Sequence, residues 1–230
     1  MSPSGSASAS GCSTASASRW CAPSPSRQRT GGTRRSGKPL KKLKILQEAG
    51  ESIVFQDEVH FQITTSICRK WVRKGSRPKV KSAPGRKSAP YSGYVVPSTG
   101  QLIVTKPGWF NYETVIASLR EFIAEMGQGP HLTIFLDNAP WHKKAVRLVQ
   151  GEAWPEYQDI RDKVALCFLP PYSPDLNPIE QCWRITRREV THNVYYKDIA
   201  SLTESLDQYF AKYRDPNPKM ASLCSFKHKD

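Results

Sequence analysis

Apolar and polar positions follow two rhythms along this chain, and the change from one to the other divides the sequence. Ile53–Phe61 (IVFQDEVHF) is rich in β-formers and Gln62–Cys68 continues in the same manner, so strands are expected over both. A Gly- and Pro-containing stretch then reads as a loop. Beyond it, Tyr94–Val96 and Leu102–Thr105 flank Pro97-Ser98-Thr99-Gly100, a hairpin signature. Together these segments predict three consecutive strands in an antiparallel meander.

The period becomes helical at Tyr112. Asn111 offers an N-cap, Val115, Ile116, Leu119, Phe122 and Ile123 share one face, and Gly127 supplies the stop, so a helix is expected over Tyr112–Met126. Leu132–Leu136 (LTIFL) reads as a short buried strand ending at Asp137. Lys143–Val149 reads as a helix, Val164–Leu169 (VALCFL) as a second buried strand, and a further helix opens at Asn177. Ile199, Leu202, Leu206, Tyr209, Phe210 and Tyr213 mark a final amphipathic helix. A meander followed by helix, strand, helix, strand and helix predicts an α/β fold, a mixed five-stranded sheet with helices on both faces.

Composition limits where that fold can lie. Residues 1–38 are dominated by Ser, Ala, Gly, Pro, Thr and Arg and cannot bury enough apolar surface to offset their ordering entropy, so a disordered, basic low-complexity tail is expected over 1–40. An acid-free Ser/Arg-rich start also resembles an organelle transit peptide, and a fused or out-of-frame leader would look the same. Leu40–Ala49 has room for one short helix. The folded domain is expected over 50–214, with a C-terminal tail over 215–230.

Charge sharpens the picture further. The 230 residues hold 34 Lys and Arg against 20 Asp and Glu, a formal charge of +14. Residues 1–47 contain nine basic residues and no acid, 48–68 contain four acids and no Lys or Arg, 69–87 contain nine basic residues and no acid, and 88–230 are balanced. Two concentrated basic blocks favour a polyanionic partner such as nucleic acid; solvated loops are the plainer alternative. The longest apolar run, Val164–Leu169, is far short of the roughly 18–20 residues of a spanning helix, so no membrane association is expected. Six cysteines show no CxxC pair and no accompanying His cluster, which argues against a zinc site or a disulfide framework and suits reduced thiols in the cytoplasm.

Three acids stand out by context. Asp57 lies within the first strand, Asp137 follows LTIFL, and Glu180 sits in Asn177-Pro178-Ile179-Glu180. The last of these also fits a capping box, with Asn177 as N-cap, Pro178 at N1 and Glu180 at N3. If the first strand lies beside LTIFL, Asp57 and Asp137 approach each other. Glu58 must then face the opposite side of the sheet and reads as a support or a surface residue. His60 reads as structural, and Trp183 as packing its helix onto the sheet.

The segments FQDEVHF, FLDNAPWH and LPPYSPDLNPIEQCW, taken together, resemble the catalytic domain of DDE transposases, in the bacterial insertion-sequence branch of the Tc/mariner superfamily. The resemblance runs from about residue 51 to 213. It implies a ribonuclease-H-like fold and a transposase performing metal-dependent DNA strand cleavage and strand transfer. Asp57, Asp137 and Glu180 match the family's metal-binding catalytic triad for two Mg²⁺ or Mn²⁺ ions. Hard cations of this kind take oxygen ligands, and a pair of them suits in-line displacement at a phosphodiester. Asn138 and His142 match positions beside the metal site, where they orient a ligand, contact phosphate, or merely pack and cap.

Trp71 falls where relatives carry a Trp among basic residues. It is expected to contact DNA together with Arg69, Lys70, Arg73, Lys74 and Arg77, and with Lys79, Lys81, Arg86 and Lys87; the alternative is a Trp packed under a solvated loop. The implied partner is double-stranded DNA, both transposon ends and target, bound by a homodimer at the nucleoid in the cytoplasm. Intact relatives carry helix-turn-helix modules ahead of the catalytic domain, and residues 1–38 show no apolar helical periodicity. The chain is therefore expected to be a catalytic-domain fragment or one product of a split reading frame, with end recognition either missing or supplied by a separate helix-turn-helix polypeptide. Two rival readings are a catalytically silent DNA-binding remnant and a ribonuclease acting on RNA–DNA hybrids.

Overall fold

The computed structural model describes residues 52–225 apart from 84, 128, 130 and 172, so the expected tail over 1–40 and the short helix over 40–49 lie outside the described residues. Among those described, Cys68–Lys79 belong to a different compact unit from the sheet domain.

Five strands form one sheet: β1 (Ser52–Gln62), β2 (Ser88–Val96), β3 (Gln101–Thr105), β4 (Leu132–Leu136) and β5 (Val164–Phe168), in the order β3-β2-β1-β4-β5. The β1–β2 and β2–β3 pairs are antiparallel, whereas β1–β4 and β4–β5 are parallel. This is the mixed sheet that the sequence pattern predicts. β1 is central, and Val54 and Phe55, on opposite faces, are both fully buried.

Strand alternation sorts the core into two layers. Ile53, Phe55, Val59 and Phe61 of β1 face α4 (Ile179–Thr186), α5 (Ile199–Ala211) and α6 (Pro218–Cys224). Val54 faces α1 (Tyr112–Met126), α2 (Pro140–Gln150) and the single turn α3 (Gln158–Arg161). Local chemistry sets the helix ends. Asn111 accepts from the Thr114 backbone N–H (2.8 Å) and the Thr114 hydroxyl accepts from the Asn111 N–H (3.0 Å), a capping box at the start of α1. Gly127, at φ +67°, ends that helix. Asp198 caps α5 through the Ser201 N–H (2.8 Å).

Several boundaries differ from the pattern, each for a physical reason. Gln62–Cys68 is not a second strand: past Gln62 the chain is held by Ile63 N–H to Lys87 O, by the Thr64 hydroxyl to Gly85 O and by the Thr65 hydroxyl to Lys81 O. β2 starts at Ser88, six residues before the expected Tyr94, and accommodates Pro90 because β3 pairs only from Ser92 onward, which leaves that side of β2 an edge. α2 begins at Pro140, where a missing N–H costs nothing. Pro174–Leu176 form a 3₁₀ turn, and α4 starts at Ile179 instead of Asn177. Part of the segment expected as a C-terminal tail is helix α6, with Met220 and Cys224 buried.

The layer under α4 and α5 is built on aromatic rings. Phe61, Tyr91, Trp183 and Phe210 meet at centroid distances of 5.2–6.2 Å, mostly edge to face. Trp183 is only 1% exposed. Its ring lies over Gly93 of β2, where a Cβ would stand 2.3 Å from Cη2 and 2.7 Å from Cζ2 of the indole. Neither that ring nor the strand beneath it has room to give. Gly93→Ala is therefore expected to lower stability by about 1–3 kcal/mol through overpacking, read as a lower urea midpoint; an unchanged midpoint would show that the ring is not seated on the strand.

Candidate active site

Register brings two acids together. The parallel ladder pairs Phe55 of β1 with Phe135 of β4, so Asp57 and Asp137 lie level, two residues further along each chain and on the α4 face. Asp57 is opposite Gly93 on the other neighbour, β2. The Trp183 Nε1–H reaches over that glycine and donates to Asp57 Oδ2 (3.1 Å). Glu180 is three residues earlier on α4, hence on the same helix face.

The three acids line one cleft of about 510 Å³ with Asn138, Lys143, Leu169, Pro170, Ser173 and Asn177 among its walls. A slightly larger hollow of about 560 Å³ lies along β3 between α1 and α5 and holds none of the three. Volume does not single out the site; the lining does. Among the described residues no group of three or more acidic, His or Cys side chains stands close enough together, as the side chains lie, to hold a metal ion.

Electrostatics separates the two aspartates. Burial, aided by the negative charges of Glu180 and Asp137, pushes Asp57 up to about 7, against the opposing pull of the Glu58 backbone N–H and the Trp183 indole. Asp137 is held below its ordinary range, first by the hydrogen bond to His142 and also by the Ala139 N–H and the Lys143 charge. Burial, the largest single influence on His142, acts to lower it, but hydrogen bonds to Asp137 and Glu58 prevail and push it up to about 9.

The expected supporting residues have distinct places. The Asn138 amide donates to Leu169 O (2.6 Å), tying the end of β4 to the loop that enters the cleft. His142 Nδ1 is 2.5 Å from Asp137 Oδ1, and Nε2 is 3.1 Å from Glu58 Oε1. His60 is exposed, 3.3 Å from the Ser88 hydroxyl and edge-on to Phe110. The capping box read for Glu180 does not form: α4 has no side-chain cap, and Glu180 is exposed in the cleft.

The basic block falls in two units. Lys81, Arg86 and Lys87 extend exposed side chains from the sheet domain. Arg69, Lys70, Trp71, Arg73, Lys74, Arg77 and Lys79 belong to the other unit, where an Arg73–Ser76 turn forms and Trp71 is 55% exposed, not packed beneath a loop.

Sequence reasoning did not identify three contributions. Trp141 joins Glu58, read as a support or a surface residue, across α2 and β1 (2.9 Å), Lys143 lines the cleft, and the Trp183 indole serves Asp57 as well as the core. The spacing of Glu180 and Trp183, one helical turn, was the available signal for the last; the others depend on which faces meet.

Residues 52–203, which include all three acids, match the DDE superfamily endonuclease family. A protein of Sinorhizobium fredii (strain NBRC 101917 / NGR234), the uncharacterized protein y4pE/y4sA, is 34% identical over 110 residues, 46% of this chain and 73% of that one. The Mos1 transposase paired-end complex with left transposon end is similar in fold at 16% identity and a TM-score of 0.56, covering 87% of this chain and 63% of that one. The Mos1 strand transfer complex (18%, 0.55) covers 87% and 63%, and the Mos1 mariner paired end complex with Mn (18%, 0.53) covers 86% and 62%. The chain thus spans less than two thirds of the Mos1 chains it resembles. Five strands in the order found here, with helices on both faces, give the ribonuclease-H-like fold of those structures, and the family match extends across every element that carries an acid of the cleft, so this chain belongs to the DDE superfamily endonucleases.

Proposed function

We propose that this domain cleaves and joins DNA strands as the catalytic part of a transposase and depends on a divalent cation, Mg²⁺ or Mn²⁺. The observation that carries the reading is the placement of Asp57 on β1 and of Asp137 just past the end of its parallel neighbour β4, with Glu180 on a third element lining the same cleft. The donor set fits a hard cation. It consists of carboxylate oxygens, Asp57 is pushed towards protonation by burial and, less, by the charges of Glu180 and Asp137, and the buried Asn177 Oδ1 in the same wall has no hydrogen-bond partner. An open arrangement of acids also suits ions that keep several waters. The Mos1 complex with Mn supports the choice of metal.

Asp57, Asp137 and Glu180 would hold the cations, two in number. Bound there, the pair would supply charge stabilisation for the attacking and the leaving oxygen of an in-line displacement. The protein's own groups do the rest: Lys143 offers a positive charge to a phosphate in the cleft, Asn138 fixes the loop wall, and Trp183 holds one oxygen of Asp57. Arg69 to Lys87 of the basic block are proposed to contact phosphates of transposon ends and target. We place recognition of the ends on helix-turn-helix modules outside the matched domain, and the active form as a homodimer at the nucleoid in the cytoplasm.

Purified protein with supercoiled plasmid and Mg²⁺ or Mn²⁺ is expected to produce nicked circles, and Asp57→Asn, Asp137→Asn and Glu180→Gln each to reduce nicking to background. A variant that cuts at the wild-type rate removes that residue from the site. Wild-type protein that binds duplex DNA yet never cuts it would establish the silent remnant instead.

The titration of the site gives a second check. Asp57 has its folded pKa, about 7, above its ordinary 3.8, so its contribution to stability is present below pH 3.8 and is lost as pH rises through 7. His142, folded at about 9 against 6.5, contributes below pH 6.5 and loses that contribution as pH rises through 9. Ionising Asp57 in the cation-free protein thus costs on the order of 4 kcal/mol. At pH 8 in a chelator, Asp57→Asn is expected to raise the urea midpoint, whereas added Mn²⁺ raises the midpoint of the wild type and not of the variant. A variant no more stable than the wild type would contradict the cost of burying a charged Asp57.

A further inference from the structure

Glu58 follows Asp57 on β1 and leaves the sheet on the opposite face, away from the cleft. Its side chain is 7% exposed, yet both of its oxygens are engaged. Oε2 accepts from the Trp141 Nε1–H (2.9 Å), and Oε1 lies 3.1 Å from His142 Nε2. The imidazole is 1% exposed and is clamped at its far side by Asp137 Oδ1, 2.5 Å from Nδ1. That same Oδ1 accepts the Ala139 N–H (2.9 Å), whereas Oδ2 of Asp137 receives no hydrogen bond from any described residue. The Asp137 side chain itself is 51% exposed.

The chain of contacts has a direction. An indole N–H can only donate, so Trp141 fixes Oε2 of Glu58 as an acceptor and thereby sets the plane of the carboxylate. Oε1 then fixes the ring of His142, which has two rotatable bonds and no other polar partner among the described residues. The ring in turn holds one oxygen of Asp137 and leaves the other for the cleft. We propose that Glu58 is a positioning residue of the cleft: with Trp141 it locks the His142 ring, and through that ring it orients the Asp137 carboxylate towards a bound cation. This rests on the reading of Asp137 as a cation ligand, and it assigns a role to the face of the sheet that the cleft does not touch. Groups that orient a metal ligand through a hydrogen bond commonly change metal affinity 10- to 100-fold when removed.

Two substitutions separate positioning from folding. In Glu58→Gln the amide oxygen goes to the donor-only Trp141, and the amide NH₂ faces His142, so the ring stays packed with one contact reversed. In Glu58→Ala both contacts are lost. Calorimetric titration with Mn²⁺ is expected to show about 10-fold weaker binding in Glu58→Gln and about 100-fold weaker binding in Glu58→Ala, with urea midpoints recorded alongside. In the metal-free protein, nitrogen–proton NMR of the imidazoles is expected to show a far-downfield His142 Nδ1–H proton in the wild type, shifted in Glu58→Gln and absent in Glu58→Ala. If Glu58→Ala does not fold, Glu58→Gln decides. A lower urea midpoint with unchanged Mn²⁺ affinity and an unchanged Nδ1–H resonance would make Glu58 structural only and overturn the proposal. If the wild type itself binds no Mn²⁺, the proposed function falls, and the NMR arm alone decides whether Glu58 holds the ring.

Discussion

Trp183 seated on Gly93 is the contact on which the rest of the site depends. β1 has to be a core strand and also carry a carboxylate on a face otherwise made of Ile53, Phe55, Val59 and Phe61. A bare carboxylate there would be costly to bury. The indole resolves the conflict because it is apolar in body and polar at one edge: the ring completes the aromatic layer, and its N–H reaches Asp57. Only a residue without a side chain at position 93 lets the ring lie low enough to do both. The same seating fixes the rotation of α4, and a fixed helix places Glu180 one turn earlier above the cleft.

Much of this was legible in the sequence wherever one segment decides its own structure. The period of α1, its cap at Asn111, the apolar runs of β4 and β5 and the hairpin at Pro97–Gly100 all depend on local chemistry. The failures are places where a neighbour decides. Ser88–Ala89–Pro90 has no β preference and is strand because β1 beside it is long. Thr64 and Thr65 look like strand residues, but beyond the sheet their hydroxyls bind loop carbonyls instead. Glu180 shows the limit most clearly, since Asn-Pro-Ile-Glu satisfies every local rule for a capping box and forms none.

The three motifs behind the resemblance marked the acids but not their supports. Asp57 and Glu58 are neighbours in sequence, and the pleat sends one to each side of the sheet. Sequence could assign them to different faces; it could not show that α2 brings His142 and Trp141 to the second face and so links Glu58 back to Asp137 around the end of β4. One dipeptide thus serves two layers, and the level placement of β1 and β4 makes that possible. A slip of one residue in their register would exchange the faces of both acids at once.

The distribution of charge adds a constraint on how such a site could work. The block from 88 to 230 has no net charge, and the stretch with Asp57 and Glu58 is acidic, so the cleft by itself repels a phosphate backbone. Attraction must come from elsewhere. On the proposed reading the second basic block supplies it at short chain distance, between the end of β1 and the start of β2, with nine Lys and Arg and no acid. On the proposed reading, binding and chemistry then respond to different ions. Monovalent salt competes for the basic block and weakens association steeply, while a divalent cation relieves the repulsion within the cleft and leaves the block untouched. On that reading, an acidic cleft and a basic stretch in the connection between β1 and β2 put the two functions on segments that are neighbours in the chain and opposite in charge.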